Sequence, residues 1–273
     1  MSILEAFVLG IVQGLTEFLP ISSSAHLVLV PELLGWEEPK VAYLVLLHAA
    51  TLVALFIYFA KEFIEALDGL DRAGPQRRFI LLLVIGTIPA AVLGVVFEKQ
   101  FEESFGHPVG VAIQLAITGV LLAAVEVFSR LKKRNESIEQ TGFSTVEKIS
   151  MEVSGFNALA VGLAQAISII PGISRSGATI GAGLLTGLSR PQAARFSFML
   201  SAPILLGTSI AKIPEISVAE LGVAPLVVGF MASLVSGYLA IAGMIGYLQK
   251  RGLFPFATYC LVVGPLVAFF LSR

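Results

Sequence analysis

The sequence predicts an all-α polytopic membrane protein, with six transmembrane helices and two re-entrant helical hairpins arranged as an inverted-topology repeat. Three observations lead to this prediction. Hydrophobic residues make up 56% of the 273 positions and charged residues only 14%, whereas soluble domains carry about 25% charged residues. The apolar residues form long uncharged runs. Two further apolar regions are interrupted near their middles by proline and serine.

The six runs are long enough to cross about 30 Å of hydrocarbon, which takes about 17–25 helical residues. They lie at 41–60, 79–97, 109–130, 193–211, 223–248 and 254–271. We therefore expect membrane lipids to surround the protein. Glycine and serine recur along the fifth run, which permits close helix packing within one chain or between the chains of a homodimer.

The interrupted regions are 3–34 and 153–187, with breaks at Pro20 and Pro171. Proline stops the preceding helix, and the serines that follow can cap a new one. The second arm of the first region would be roughly 16 Å long at 1.5 Å per residue, which is half a bilayer. A helix, a polar break and a short return helix predict a re-entrant hairpin in each region.

The two hairpins resemble each other, since GIVQGLTEFLPISSS in the first aligns with GLAQAISIIPGISRS in the second. The alternative is a chance match of a few small residues. A duplication would divide a single membrane domain, 1–273, into repeats 1–130 and 153–273, each with one hairpin and three spans. Three spans are an odd number, so the second repeat would enter from the opposite face and the hairpin tips would meet near the midplane, where such proteins bind ligands.

The charges fix an orientation and exclude several classes of protein. With the 61–78 loop inside, thirteen of the 18 Lys and Arg residues fall in cytoplasmic segments and four outside. The net charge of −1 leaves no basic face for nucleic acid. A single cysteine cannot form an internal disulfide, and one cysteine with three scattered histidines gives no zinc-ligand spacing. The N-terminus lacks the features of a signal peptide, so we expect it to remain in the mature protein.

Ionisable residues in apolar segments are costly and are therefore candidate functional groups. Gln13 and Glu17 are four residues apart and share one helix face, which suits a divalent cation that completes its shell with water and phosphate. The alternative is a Glu17 that is protonated or paired with Arg175. His48, in the middle of a span, could approach the site as a hydrogen-bonding group, but we interpret it as a hydrogen-bonded core histidine. We interpret Glu126, near a span end, as a snorkelling or interfacial group.

The return helices begin with groups that suit an anion. In the first, Ser23 and His26 are three residues apart and can place a hydroxyl nucleophile beside a base, although a capping serine and a structural histidine are the alternative. In the second, Arg175 stands among hydroxyl side chains at a helix start. A guanidinium group can donate two parallel hydrogen bonds to two oxygens of one phosphate. At bilayer depth these groups predict a phosphate or diphosphate on a lipid tail.

The motifs also resemble those of the bacterial undecaprenyl-diphosphatase, or bacitracin-resistance, family. QGLTE at 13–17 matches (E/Q)xxxE, PISSSAH at 20–26 matches PxSSxxH, and PGISRSGAT at 171–179 matches PGxSRSxxT. The resemblance covers essentially the whole chain. It implies a hydrolase of the bacterial inner membrane that converts undecaprenyl diphosphate to the monophosphate carrier for cell-wall synthesis, at a site open to the extracytoplasmic side.

The resemblance also implies roles for individual residues. Glu17 would hold a divalent cation, Mg²⁺ or Ca²⁺, with help from Gln13. Ser23 would be the nucleophile or would orient a water, His26 would be the acid/base, and Arg175 would clamp the phosphate. The implied phosphate-binding hydroxyls are those of Ser22, Ser24, Ser174, Ser176 and Thr179.

Two rival functions remain open at this point. Inverted repeats also build transporters, so that a transporter or flippase for a lipid phosphate or small anion is the first alternative. A carrier, however, has no use for a nucleophile and a base. A structural membrane subunit is the second alternative, and it would need no buried charge.

Overall fold

The computed structural model describes residues 1–71, 73–97, 106–131, 143–212, 214 and 221–273. In these residues the protein is all helical, with twelve α-helices and no strand. The helices are α1 Ile3–Phe18, α2 Ser23–Leu34, α3 Val41–Tyr58, α4 Ala60–Asp68, α5 Pro75–Val96, α6 Pro108–Leu131, α7 Thr145–Glu152, α8 Gly155–Ile167, α9 Arg175–Leu185, α10 Arg190–Lys212, α11 Val223–Lys250 and α12 Phe254–Leu271.

Among the described residues, six helices are long and apolar enough to span a membrane, namely α3, α5, α6, α10, α11 and α12. They confirm the six predicted spans, with ends that differ by up to four residues. The largest difference is at the start of α5, because Pro75 suits the first helical turn, where its missing N–H would have no partner anyway. Exposed apolar side chains such as Ile88 and Val95 are suited to lipid contact.

Each interrupted region forms two short helices, α1 with α2 and α8 with α9. The first helix of each pair ends before its proline, α1 at Phe18 two residues before Pro20 and α8 at Ile167 four residues before Pro171. The segments expected as loops at 61–78 and 131–152 also contain helices, α4 and α7. The start of α7 has a capping box, in which Ser144 and Glu147 each bond the backbone N–H of the other.

Packing joins distant parts of the chain around the breaks. Helix α1 packs along α11, α8 packs along α5, and α6 and α12 pack along each other. The first two contacts depend on glycine, because a Cβ at Gly10 would collide with the carbonyl of Gly229 and one at Gly162 with that of Gly86. The ring of Phe18, at the end of α1, packs edge-on against Phe198 of α10 at a centroid distance of 5.3 Å. The end of α1 is therefore fixed inside the protein.

Candidate active site

Both breaks are built by a serine that caps the following short helix. Ser22 Oγ accepts a hydrogen bond from the N–H of Ala25 at 3.3 Å, and Ser174 Oγ accepts one from Gly177 at 3.1 Å. Ser22 has a φ of 68°, in the backbone region that favours glycine. Strained backbone of this kind clusters at functional sites, so the first break is a stronger candidate site than an ordinary helix cap.

The two breaks lie against each other. The N–H of Gly172 donates to Ser24 Oγ at 3.1 Å, and Ser176 Oγ donates to the carbonyl of Leu19 at 2.9 Å. Each bond runs from one break to the other, between residues about 150 positions apart. The polar segments that the sequence predicts to converge are therefore in direct contact.

Glu17 is the centre of the polar contacts beside the breaks. Its side chain is only 4% exposed. Oε2 accepts hydrogen bonds from Gln13 Nε2 at 2.9 Å and from Ser23 Oγ at 2.6 Å, and Oε1 pairs with Nη2 of Arg175. The ion pair between Glu17 and Arg175, which the sequence left as an alternative, is thus present and links the two breaks.

Two polar atoms next to Glu17 are buried and have no hydrogen-bond partner in the part of the chain that the structure describes. They are Nη1 of Arg175 and Oε1 of Gln13. Buried polar atoms in proteins are nearly always paired, and an exception needs a physical explanation. An anion on Arg175 Nη1 and a cation on Gln13 Oε1 would satisfy both atoms. A buried donor without a described partner thus lies directly beside a carboxylate.

These residues fit a divalent cation, although with few protein ligands. Among the described residues, no three His, Cys, Asp or Glu side chains come together as a metal-binding group. A cation would find one carboxylate, Glu17, and the amide oxygen of Gln13. Mg²⁺ is commonly held by one or two carboxylates, with water and substrate phosphate completing its shell. The donor set is suited to a metal that arrives with a phosphate ligand.

Ser23 and His26 do not form the pair that their spacing predicts, because each has another partner. The Ser23 hydroxyl donates to Glu17, and a charged acceptor forms a stronger hydrogen bond than a neutral one. His26 Nδ1 lies 2.7 Å from the carbonyl of Ser22, and Nε2 lies 2.7 Å from the hydroxyl of Tyr259. The group placed to take a proton from Ser23 is therefore the Glu17 carboxylate.

Most of the predicted phosphate-binding hydroxyls are already engaged within the protein. Ser22, Ser174, Ser176 and Thr179 are each at most 3% exposed. Thr179 Oγ1 donates to the carbonyl of Arg175 at 2.7 Å, within the first turns of α9. This hydrogen bond of Thr179 stabilises the helix turn that carries Arg175. Contact of these hydroxyls with a phosphate stays a prediction.

His48 lies beside the site, which is the alternative that the sequence left open for it. His48 Nε2 lies 3.6 Å from Glu17 Oε2, and Nδ1 lies 2.8 Å from the carbonyl of Leu44. His48 is therefore both hydrogen-bonded within its own helix and close to Glu17. Its position within an apolar span was the sequence signal, and the neighbour was not predictable because it lies on another helix.

The interpretation of Glu126 as an interfacial group was wrong, because its side chain is fully buried. Arg190 binds both carboxylate oxygens, at 2.7 and 2.9 Å. Arg130 Nε donates at 2.8 Å and the N–H of Leu253 at 3.0 Å. These contacts join α6, α10 and the turn before α12. Four donors satisfy the buried charge, so Glu126 has a structural role in holding these helices together.

Comparison with known proteins finds similarity over nearly the whole chain. The family model described as bacitracin resistance protein BacA matches residues 6–266. A protein of Moorella thermoacetica named undecaprenyl-diphosphatase is 39% identical over all of both chains. One of Geobacter sulfurreducens with the same name is 42% identical over 99% of each chain. A protein of Shouchella clausii named undecaprenyl-diphosphatase 1 is 36% identical over 99% of this chain and 97% of its own.

Proposed function

The chain belongs to the family of the bacitracin resistance protein BacA, and from this premise we propose how its site hydrolyses a lipid diphosphate. It is a multi-pass membrane protein and a phosphatase that acts on undecaprenyl diphosphate, the substrate in the name of its relatives. The products are inorganic phosphate and undecaprenyl phosphate. The reaction thereby regenerates the lipid carrier for cell-wall synthesis.

A single observation carries the assignment of the site. Glu17 and Arg175 form a buried ion pair between the two breaks, while Arg175 keeps one buried nitrogen without a partner among the described residues. The guanidinium fork can bind a carboxylate with one nitrogen and a phosphate oxygen with the other. A phosphate held in this way would lie close to Ser23 and Glu17.

The chemistry follows from these contacts. Arg175 Nη1 binds an oxygen of the terminal phosphate and stabilises the negative charge in the transition state. The Ser23 hydroxyl, or a water in its place, attacks the terminal phosphorus, and Glu17 Oε2 accepts the released proton. The bond from phosphorus to the bridging oxygen breaks, and undecaprenyl phosphate leaves. If Ser23 is the nucleophile, water then hydrolyses the phosphoserine and restores the hydroxyl.

A divalent cation is part of this proposal. Glu17 and Gln13 would hold it, and it would supply additional positive charge to the phosphate oxygens. The unpartnered oxygen of Gln13 supports this assignment. The carboxylate of Glu17 would then bind the cation and also accept the proton of the nucleophile.

We also propose that α1–α2 and α8–α9 are re-entrant hairpins of an inverted repeat. Equivalent packing supports this, since α1 lies along α11 just as α8 lies along α5. Gly10 and Gly162, which the alignment of the two hairpins equates, each lie against a glycine carbonyl of the neighbouring helix. From the family membership we further propose that the site opens to the extracytoplasmic side of the bacterial inner membrane.

The test is phosphate release from undecaprenyl diphosphate by the purified protein in detergent. We expect release to stop with a chelator and to return with Mg²⁺ or Ca²⁺. Glu17→Ala and Arg175→Ala should each lower the rate at least about 100-fold. The matched controls are Glu32→Ala and Arg251→Ala, which remove the same charges from exposed positions. Undiminished turnover by a folded Glu17 or Arg175 variant would contradict the proposal.

The same preparation distinguishes the transporter hypothesis. Wild-type protein in liposomes that moves a lipid phosphate across the bilayer and releases no inorganic phosphate would support a carrier. Phosphate release that depends on Glu17 supports the hydrolase.

A further inference from the structure

Tyr259 of α12 contacts the histidine of the first break, although nothing in the motifs points to it. Its hydroxyl lies 2.7 Å from His26 Nε2. The two rings are nearly parallel, with centroids 5.7 Å apart and an angle of 15°. Tyr259 is also 39% exposed. The contact therefore links a residue of the proposed site to the surface of the protein.

The other nitrogen of His26 determines which protonation state this contact favours. Nδ1 lies 2.7 Å from the carbonyl oxygen of Ser22, and a carbonyl can only accept. Nδ1 must therefore carry the hydrogen, and in the neutral imidazole Nε2 has the lone pair. The Tyr259 hydroxyl then donates to Nε2. If Nε2 is protonated, the bond reverses, since a hydroxyl can also accept.

The packing around α12 keeps the two rings together. Cys260, the neighbour of Tyr259, is fully buried in an apolar cluster with Ile21, Ala25 and Leu29 from the first break and α2. The same cluster includes residues of α6, on which α12 packs. The position of the hydroxyl is thus set by a packed interface between helices that are far apart in the sequence.

We propose that Tyr259 is a positioning residue for His26. Its hydroxyl holds the imidazole in one orientation, with Nδ1 protonated and Nε2 left as the nitrogen that can exchange a proton once this hydrogen bond opens. This inference rests on the proposed function and on the acid/base role that the family motifs imply for His26, which is separate from the proton that Glu17 takes from the nucleophile. Tyr259 acts through His26 and needs no contact with the substrate.

The experiment compares Tyr259→Phe, which keeps the ring and removes the hydroxyl, with Tyr238→Phe. Tyr238 of α11 has the same 39% exposure and packs on Tyr58. We expect Tyr259→Phe to lower kcat by about tenfold to a hundredfold, with KM changed by less than about threefold. Tyr238→Phe should keep the wild-type kcat. In a His26→Gln background, Tyr259→Phe should cause no further loss, because it acts through the histidine.

A second measurement does not depend on activity. In nitrogen-15 histidine NMR spectra, with signals assigned through His26→Gln, the Nε2 resonance should move in Tyr259→Phe and stay in place in Tyr238→Phe. Unchanged kcat and an unmoved resonance in Tyr259→Phe would overturn the inference, as would an equal loss of activity with and without His26. If the wild-type protein releases no phosphate, the proposed function fails, and the resonance still reports whether Tyr259 holds His26.

Discussion

Arg175→Lys separates the two contacts that the guanidinium group makes possible. In the native protein Nη2 pairs with Glu17, and Nη1 is buried without a partner among the described residues. Lysine keeps the positive charge but has one compact ammonium group in place of a planar fork. It can therefore remain paired with Glu17, or bind the phosphate, but cannot reproduce both contacts with the same geometry.

The expected magnitudes differ between activity and stability. Removal of one donor to the developing charge costs about 2.7–4 kcal/mol of transition-state stabilisation, or about 100- to 1,000-fold in kcat. Loss of the whole pair in Arg175→Ala would leave Glu17 buried without its counter-charge, at a cost of about 3–5 kcal/mol in folding stability. Arg175→Lys keeps the charge, so we expect it to lose less stability than Arg175→Ala.

The assay is the initial rate of phosphate release at saturating substrate, together with the thermal midpoint of unfolding. Arg190→Lys is the matched control, because Arg190 also binds a buried carboxylate, that of Glu126, but has no part in the proposed mechanism. It should lower the thermal midpoint and leave kcat unchanged. If Arg175→Lys keeps more than a third of the wild-type kcat, then Nη1 of Arg175 does not bind the phosphate in the transition state.

Three further predictions concern other contacts. Glu126→Ala should lower the free energy of unfolding by about 3–5 kcal/mol, because it leaves Arg190 without its buried partner; an unchanged thermal midpoint would refute this. Gly10→Leu and Gly162→Leu should each reduce the yield of folded protein in size-exclusion chromatography, whereas Gly243→Leu, with no atom within 4 Å of its Cβ position, should not. Ser23→Ala should lower kcat at least about 100-fold if the serine is the nucleophile, and residual activity near one tenth would favour an activated water.

Several residues of the candidate site were predictable because they interrupt apolar sequence. Glu17 and Arg175 stand out as charges in regions that otherwise avoid them, and the prolines beside them mark the breaks. The same reasoning failed for Glu126, whose interpretation as an interfacial group was wrong. Its partner Arg190 is 64 residues away, and no local pattern distinguishes a buried pair from a charge that reaches the membrane surface.

The partners of individual side chains were the least predictable feature. Spacing alone predicted a contact between Ser23 and His26. In the structure the Ser23 hydroxyl donates to Glu17 instead, and His26 forms a hydrogen bond with Tyr259. The contact between His26 and Tyr259 joins residues 233 positions apart. It depends on how α12 packs beside α2, which hydropathy does not encode.

The sequence by itself determined the six spans and the two breaks, because span length, proline and serine act within a few neighbouring residues. The tertiary structure alone decided that Glu17 meets Arg175, 158 positions away, and that His48 and Tyr259 lie beside the site. Such contacts depend on the relative positions of packed helices, and these positions follow from close fits such as Gly10 against Gly229 rather than from any local pattern.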